Sequence, residues 1–146
     1  PMISKMADDS SNPLPVHEKK TCRILVVDDD RAVCDVVKRL LEKEIPTAVI
    51  QVVYDGVSAV EELDRSLDLI ILDLGLPHLR GEGVSLANEL KDANAPILVI
   101  TGEPHPDLEF MGDINVMGLL KKPFDMQELV KATKTILNGE EYRPSK

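Results

Sequence analysis

The stretch Asp68-Leu69-Ile70-Ile71-Leu72-Asp73-Leu74-Gly75-Leu76-Pro77 decides how this chain folds. Four consecutive apolar residues, two of them β-branched, run straight into an acid and then a loop of glycine and proline. A strand with one face in water alternates apolar and polar residues. A strand buried on both faces of a parallel sheet is apolar throughout. Residues 69–72 read as the second kind, and Asp73 then falls where the strand leaves the sheet.

The same texture recurs on either side, at residues 24–27, 49–53, 97–100 and 116–120. Helical spacing fills the intervals. Val33, Val36, Val37, Leu40 and Leu41 share one face, and Lys38, Arg39, Glu42 and Lys43 the opposite one. Further helices are expected over 56–66, 82–92, 106–111 and 125–137, the last stopped by Asn138-Gly139. Five strands alternating with five helices predict one doubly wound α/β domain over residues 22–139, a five-stranded parallel sheet with helices on both faces. Residues 1–21 are polar and proline-broken and are expected to be a flexible leader, part of it vector-derived because the chain opens on Pro1. Residues 140–146 are expected to be a C-terminal tail, too short for a second domain.

Composition narrows the class. With 43% hydrophobic and 29% charged residues, the 146-residue chain has the profile of a folded soluble domain. No apolar run approaches the roughly 20 residues that span a bilayer, and the N-terminus lacks a signal-peptide core, so a cytoplasmic protein with no membrane contact is expected. A formal net charge of −9 argues against direct binding to nucleic acid. Cys22 and Cys34 suit neither a disulfide framework nor a zinc site and read as small buried hydrophobes.

The residues after each strand carry the chemistry. The first strand runs into Asp28, Asp29 and Asp30, the third into Asp73, the fourth into Thr101 and the fifth into Lys121 and Lys122. In a parallel sheet these ends share one edge, where open α/β sheets bind their ligands. Two carboxylates ~4 Å apart repel by roughly 4 kcal/mol at an effective dielectric of 20, so a cation is needed among them. Few carboxylates with retained water is how proteins hold Mg²⁺. An acid near such a cation, with hydroxyl and ammonium donors, is suited to phosphoryl transfer. Taken singly, each acid reads equally well as a helix N-cap, Thr101 as a local backbone partner and Lys122 as a solvated side chain. Their convergence favours the joint reading.

These motifs closely resemble the receiver domain of two-component response regulators. Ile24-Leu25-Val26-Val27-Asp28-Asp29-Asp30 is similar to the family's acidic-pair strand. Residues 68–77 resemble its phosphoacceptor strand and loop, with Gly81 beyond. Thr101 and Lys122-Pro123-Phe124 match the last two motifs. The resemblance runs from Arg23 to Gly139 and implies a flavodoxin-like sheet of strand order 2-1-3-4-5. It implies that Asp73 accepts a phosphoryl group from a sensor histidine kinase or phosphotransfer protein. Mg²⁺ would be held by Asp29 directly, by Asp28 through water, by Asp73 and by the Gly75 carbonyl. Thr101 would swing to one phosphoryl oxygen, and Lys122 would pair with another. Such a domain is a switch rather than an enzyme. It signals to a downstream protein or a fused output domain, and relatives commonly dimerise on phosphorylation.

Some positions depart from the family pattern. Leu119 stands three residues before the lysine, where relatives commonly carry an aromatic ring that follows the threonine, so that relay is not expected in its usual form. Pro104, Pro106 and the glycines between Thr101 and Lys122 should weaken or shorten the helix at 106–111. Gly75 and Glu103 occupy positions that influence phosphate lifetime in the family. His78 and His105 read as solvated loop residues, since neither has a partner ligand at helical or strand spacing.

Two other functions compete. A haloacid-dehalogenase-type phosphatase also uses an acid after its first strand, but Asp28-Asp29-Asp30-Arg31-Ala32 has alanine where that signature needs threonine or valine. A degenerate receiver acting as a protein-binding adaptor would not need the complete set of acids, threonine and lysine. Whether the domain stands alone or belongs to a longer regulator stays open at this level.

Overall fold

The computed structural model describes residues 21–75, 89–103 and 114–143. In chain order these form β1 (Cys22–Val27), α1 (Arg31–Glu44), β2 (Ala48–Val53), α2 (Gly56–Glu62), β3 (Leu69–Asp73), helical residues 89–93 (α3), β4 (Ile97–Thr101), β5 (Val116–Lys121) and α4 (Met126–Leu137). The five strands pair in parallel in the order β2-β1-β3-β4-β5, as expected of the flavodoxin-like sheet. All five residues of the central β3 are buried, which is what its unbroken apolar run demanded.

Alternate residues of each strand feed opposite cores. Ile24, Val26, Leu69, Ile71, Leu98 and Ile100 meet Cys34, Val37 and Leu41 of α1 and Leu129 and Ile136 of α4. Leu25, Val27, Ile70, Leu72, Ile97 and Val99 meet Ala59 of α2 and Leu90 of α3. Each fully buried Leu or Ile is worth about 1.5–3 kcal/mol over an exposed one, so these two layers hold the helices to the sheet. Cys22 and Cys34 are both buried and form no disulfide, as expected.

Side-chain caps set the helix starts. Asp30, Asp55 and Asp125 are N-caps of α1, α2 and α4, and Asp125 with Glu128 forms a reciprocal capping box. α2 stops at Glu62 rather than near residue 66. Leu63 is extended, and the Asp64 carboxylate accepts from the Ser66 N–H at 2.8 Å and from the Arg23 guanidinium at 3.0 Å, which stabilises a turn in place of helix. α4 ends as expected, with Asn138 as its cap and Gly139 at φ 88°.

The packed fold continues past Gly139. Tyr142 is buried, its N–H donates to the Met117 carbonyl at 2.9 Å, and it bridges to Gly118 on the open edge of β5. The expected helix at 106–111, most of that at 82–92, and His78, His105, Pro77 and Gly81 lie outside the described residues. Among the described residues no helix is long and apolar enough to cross a membrane.

Candidate functional site

The pairing of β1, β3, β4 and β5 brings their carboxyl ends together. Register matches Val27 with Leu72, Asp73 with Ile100 and Thr101 with Lys121. The Leu74 N–H then donates to the Ile100 carbonyl at 2.9 Å, and the Lys122 N–H to the Thr101 carbonyl at 2.8 Å. Acids, hydroxyl and ammonium thus reach one edge because the backbone ladders place them there.

Asp28 follows β1 and is 4% exposed. Its Oδ1 accepts the Asp30 N–H at 2.9 Å. Asp29 is exposed. Asp30 caps α1, its Oδ1 accepting from the N–H groups of Ala32 at 3.1 Å and Val33 at 3.2 Å. The third acid of the run therefore has the ordinary capping role. Asp73, also 4% exposed, closes β3. Its Oδ1 accepts the Gly75 N–H at 2.8 Å, and its Oδ2 lies 3.1 Å from Lys122 Nζ. A Cβ at position 75 would come within 3.3 Å of Asp73 Oδ1, so a glycine here keeps the carboxylate accessible.

Thr101 is buried at the end of β4, where its Oγ1 accepts the Glu103 N–H at 3.0 Å. That is the local backbone bond a strand-end threonine can make. A hydroxyl that accepts one bond can still donate its own proton. Leu119 packs against the second core cluster, beside Val99 in register. A cavity of about 400 Å³ adjoins the site, bounded by Val33, Val37, Phe124 and Met126 and reaching Asp28, Asp73 and Lys122.

The electrostatics follow from this crowding. Burial pushes the Asp28 carboxyl up to about 6; the charge of Asp73 adds to the rise, and the bond from the Asp30 N–H opposes it. Burial alone would lower the Lys122 ammonium, but its hydrogen bond to Asp73 and the charges of Asp73, Asp28 and Asp30 leave it raised. Burial, followed by Asp28, Asp30, Asp29 and Asp73, drives the Cys34 thiol up to about 12.

Each of Asp28, Asp29 and Asp73 offers one carboxylate oxygen, and these atoms lie within 4.8 Å of one another. Three such oxygens face one ammonium, so the local balance is negative. All the donors are hard oxygens. A small divalent cation such as Mg²⁺ suits both the charge and the donor chemistry. Sequence reading located Asp28, Asp29, Asp73, Thr101 and Lys122, and the fold brings all five to one edge. It missed Cys34, whose Sγ lies 3.2 Å from the Asp28 carbonyl oxygen. A thiol one helical turn beyond the capping Asp30 was the available signal.

In a parallel sheet of this strand order ligands bind at the carboxyl edge of the strands, which is where the buried acids and the lysine stand. The chain belongs to the response regulator receiver domain family, whose model matches residues 24–134. It is 32% identical over 117 residues to the transcriptional regulatory protein CpxR of Escherichia coli K12, covering 79% of this chain and 49% of that protein. It is 35% identical over 120 residues to the response regulator MprA of Mycobacterium ulcerans, covering 79% of this chain and 50% of that one. The chain thus spans about half the length of these curated relatives. The crystal structure of a response regulator signal receiver domain from Bermanella marisrubri superposes with a TM-score of 0.67 at 27% identity, covering 81% of this chain and 99% of that one.

Proposed function

We propose that this chain is a phosphoacceptor switch in which Asp73 receives a phosphoryl group from a sensor histidine kinase or a phosphotransfer protein. A carboxylate oxygen of Asp73 attacks phosphorus. A P–O bond forms as the P–N bond to the donor imidazole breaks, and the leaving nitrogen keeps the electron pair. The observation that carries the reading is the contact between Lys122 Nζ and Asp73 Oδ2 at 3.1 Å, beside a second buried acid. The lysine is thereby placed to neutralise charge on a group arriving at Asp73. It contacts Asp73 rather than Asp28, which speaks against the phosphatase reading with Asp28 as nucleophile.

Asp28, Asp29, Asp73 and the carbonyl of Gly75 would hold Mg²⁺, with Asp28 acting through water. The ion would supply charge neutralisation on the phosphoryl oxygens. Lys122 holds the acceptor carboxylate in place, and Thr101 sits at the neighbouring strand end with a hydroxyl proton to donate to the product. The acyl phosphate on Asp73 adds charge and strong acceptors to a buried edge. A downstream protein, a fused output domain or a second phosphorylated copy would read that change.

Incubation with Mg²⁺ and acetyl phosphate tests the reading by intact mass. Wild type should gain one phosphoryl group, Asp73→Asn none, and removal of the metal with EDTA should stop the gain. Equal labelling of Asp73→Asn, or no labelling of wild type, would overturn it.

A further inference from the structure

Cys34 is 1% exposed on the inner face of α1 and makes two hydrogen bonds to the same short segment. Its backbone N–H donates to the Asp30 carbonyl at 3.0 Å, as the helix requires. Its thiol donates to the Asp28 carbonyl at 3.2 Å, which the helix does not require. Asp28 follows β1, its N–H donates to the Val53 carbonyl of β2 at 3.2 Å, and its carboxylate accepts the Asp30 N–H at 2.9 Å. The turn that carries Asp28 and Asp29 is therefore held by the sheet at the Asp28 N–H, by its own carboxylate, and at the Asp28 carbonyl by the Cys34 thiol.

We infer that Cys34 is a positioning residue for the acidic site, its thiol fixing the Asp28 peptide so that the carboxylates of Asp28 and Asp29 converge with that of Asp73. The physical reason is geometric. The peptide is planar and moves as one unit, so a change of ψ at Asp28 carries its carbonyl with it and changes the direction of Asp29 relative to Asp28. A donor on that buried carbonyl resists the rotation, because the oxygen would otherwise lose a partner. The three carboxylate oxygens lie within 4.8 Å of one another, an arrangement their mutual repulsion opposes, so something must hold it. The inference rests on the proposed cation and phosphoryl site, and its test separates the two.

Cys34→Ser and Cys34→Ala leave similarly small side chains but differ in the donor, while Cys34→Val fills the space with no donor. Thermal unfolding establishes that each variant folds, and Mg²⁺ titration followed by NMR reads the site. Ala and Val should weaken Mg²⁺ binding by about tenfold, the lower end of the loss when an outer partner that orients a ligand is removed, and Ser should stay within about twofold of wild type. In the metal-free protein, the Asp30 amide proton should exchange faster in Ala and Val than in Ser. Mg²⁺ affinity and Asp30 exchange in Ala and Val equal to wild type would overturn the role of Cys34. So would a Ser variant as weak as Ala. A wild type that binds no Mg²⁺ and takes no phosphoryl group would instead overturn the site reading itself.

Discussion

Lys122 Nζ lies 3.1 Å from Asp73 Oδ2 although 49 residues separate them, because β4 carries the register between β3 and β5. The two side chains differ in setting. The Asp73 side chain alone is 5% exposed and that of Lys122 41%, so the acid is fixed and the lysine can follow an incoming group.

That asymmetry gives the first prediction. Lys122→Met should slow phosphoryl uptake at Asp73 by about a hundredfold, the usual loss when one donor to a transition-state charge is removed. Folding should be largely retained, since the lysine is partly solvated. Time-resolved intact mass with acetyl phosphate checks this, and an unchanged rate would contradict the role given to Lys122.

The crowded acids give a second. In metal-free protein at neutral pH, Asp28→Asn removes one of three carboxylates whose oxygens lie within 4.8 Å of one another. It should raise stability by about 1 kcal/mol, or roughly 3 °C in Tm for a domain of this size. Mg²⁺ should stabilise wild type and leave the variant nearly unmoved. Thermal scans with Mg²⁺ and with EDTA measure both effects, and a destabilised metal-free variant would refute the repulsion argument.

Tyr142 gives a third, with a pH sign. Burial, with the charges of Glu128 and Asp125, raises its phenol above the ordinary 10. The folded state therefore favours the neutral ring. The stabilisation is complete below the unfolded value and is lost as pH climbs through the higher folded one. Tyr142→Phe should be near neutral at pH 7 and lack this alkaline loss, whereas Tyr142→Ala should cost about 2 kcal/mol from lost packing. Urea unfolding at pH 7 and pH 10.5 distinguishes the three proteins.

Gly118 gives a fourth. A Cβ there would sit 2.9 Å from Ile136 Cδ1, 3.1 Å from Tyr142 Cβ and 3.2 Å from Leu98 Cδ1. Gly118→Ala should destabilise by about 1–3 kcal/mol through overpacking. The added Ile136→Val change should recover part of that loss, because it removes the Cδ1 methyl that the new Cβ would meet at 2.9 Å. Strictly additive losses in the double variant would show that the two positions do not share a packing constraint.

What could be read from the sequence was whatever repeats at short range. Unbroken apolar runs such as residues 69–72 mark strands buried on both faces, and the spacing of Val33, Val37 and Leu41 marks a helix with one inner face. An acid, a hydroxyl or an ammonium directly after a buried strand can then be assigned to one sheet edge, so the family-like site was legible before any coordinates. Helix ends were harder. α2 stops early because Asp64 finds Ser66 and the distant Arg23, a competition that no local propensity contains.

The sequence by itself therefore determined the α/β class, the parallel sheet and the membership of Asp28, Asp29, Asp73, Thr101 and Lys122 in one edge. These follow from periodicity and from chain direction, which are properties of neighbours along the chain. Only the tertiary structure decided that Asp30 caps α1 while Asp28 faces Asp73, that Lys122 pairs with Asp73, that the Cys34 thiol meets the Asp28 carbonyl and that Tyr142 bridges to the edge of β5. Those depend on side-chain direction and on contacts between distant segments, where distance, burial and charge select one partner among several that the sequence allows.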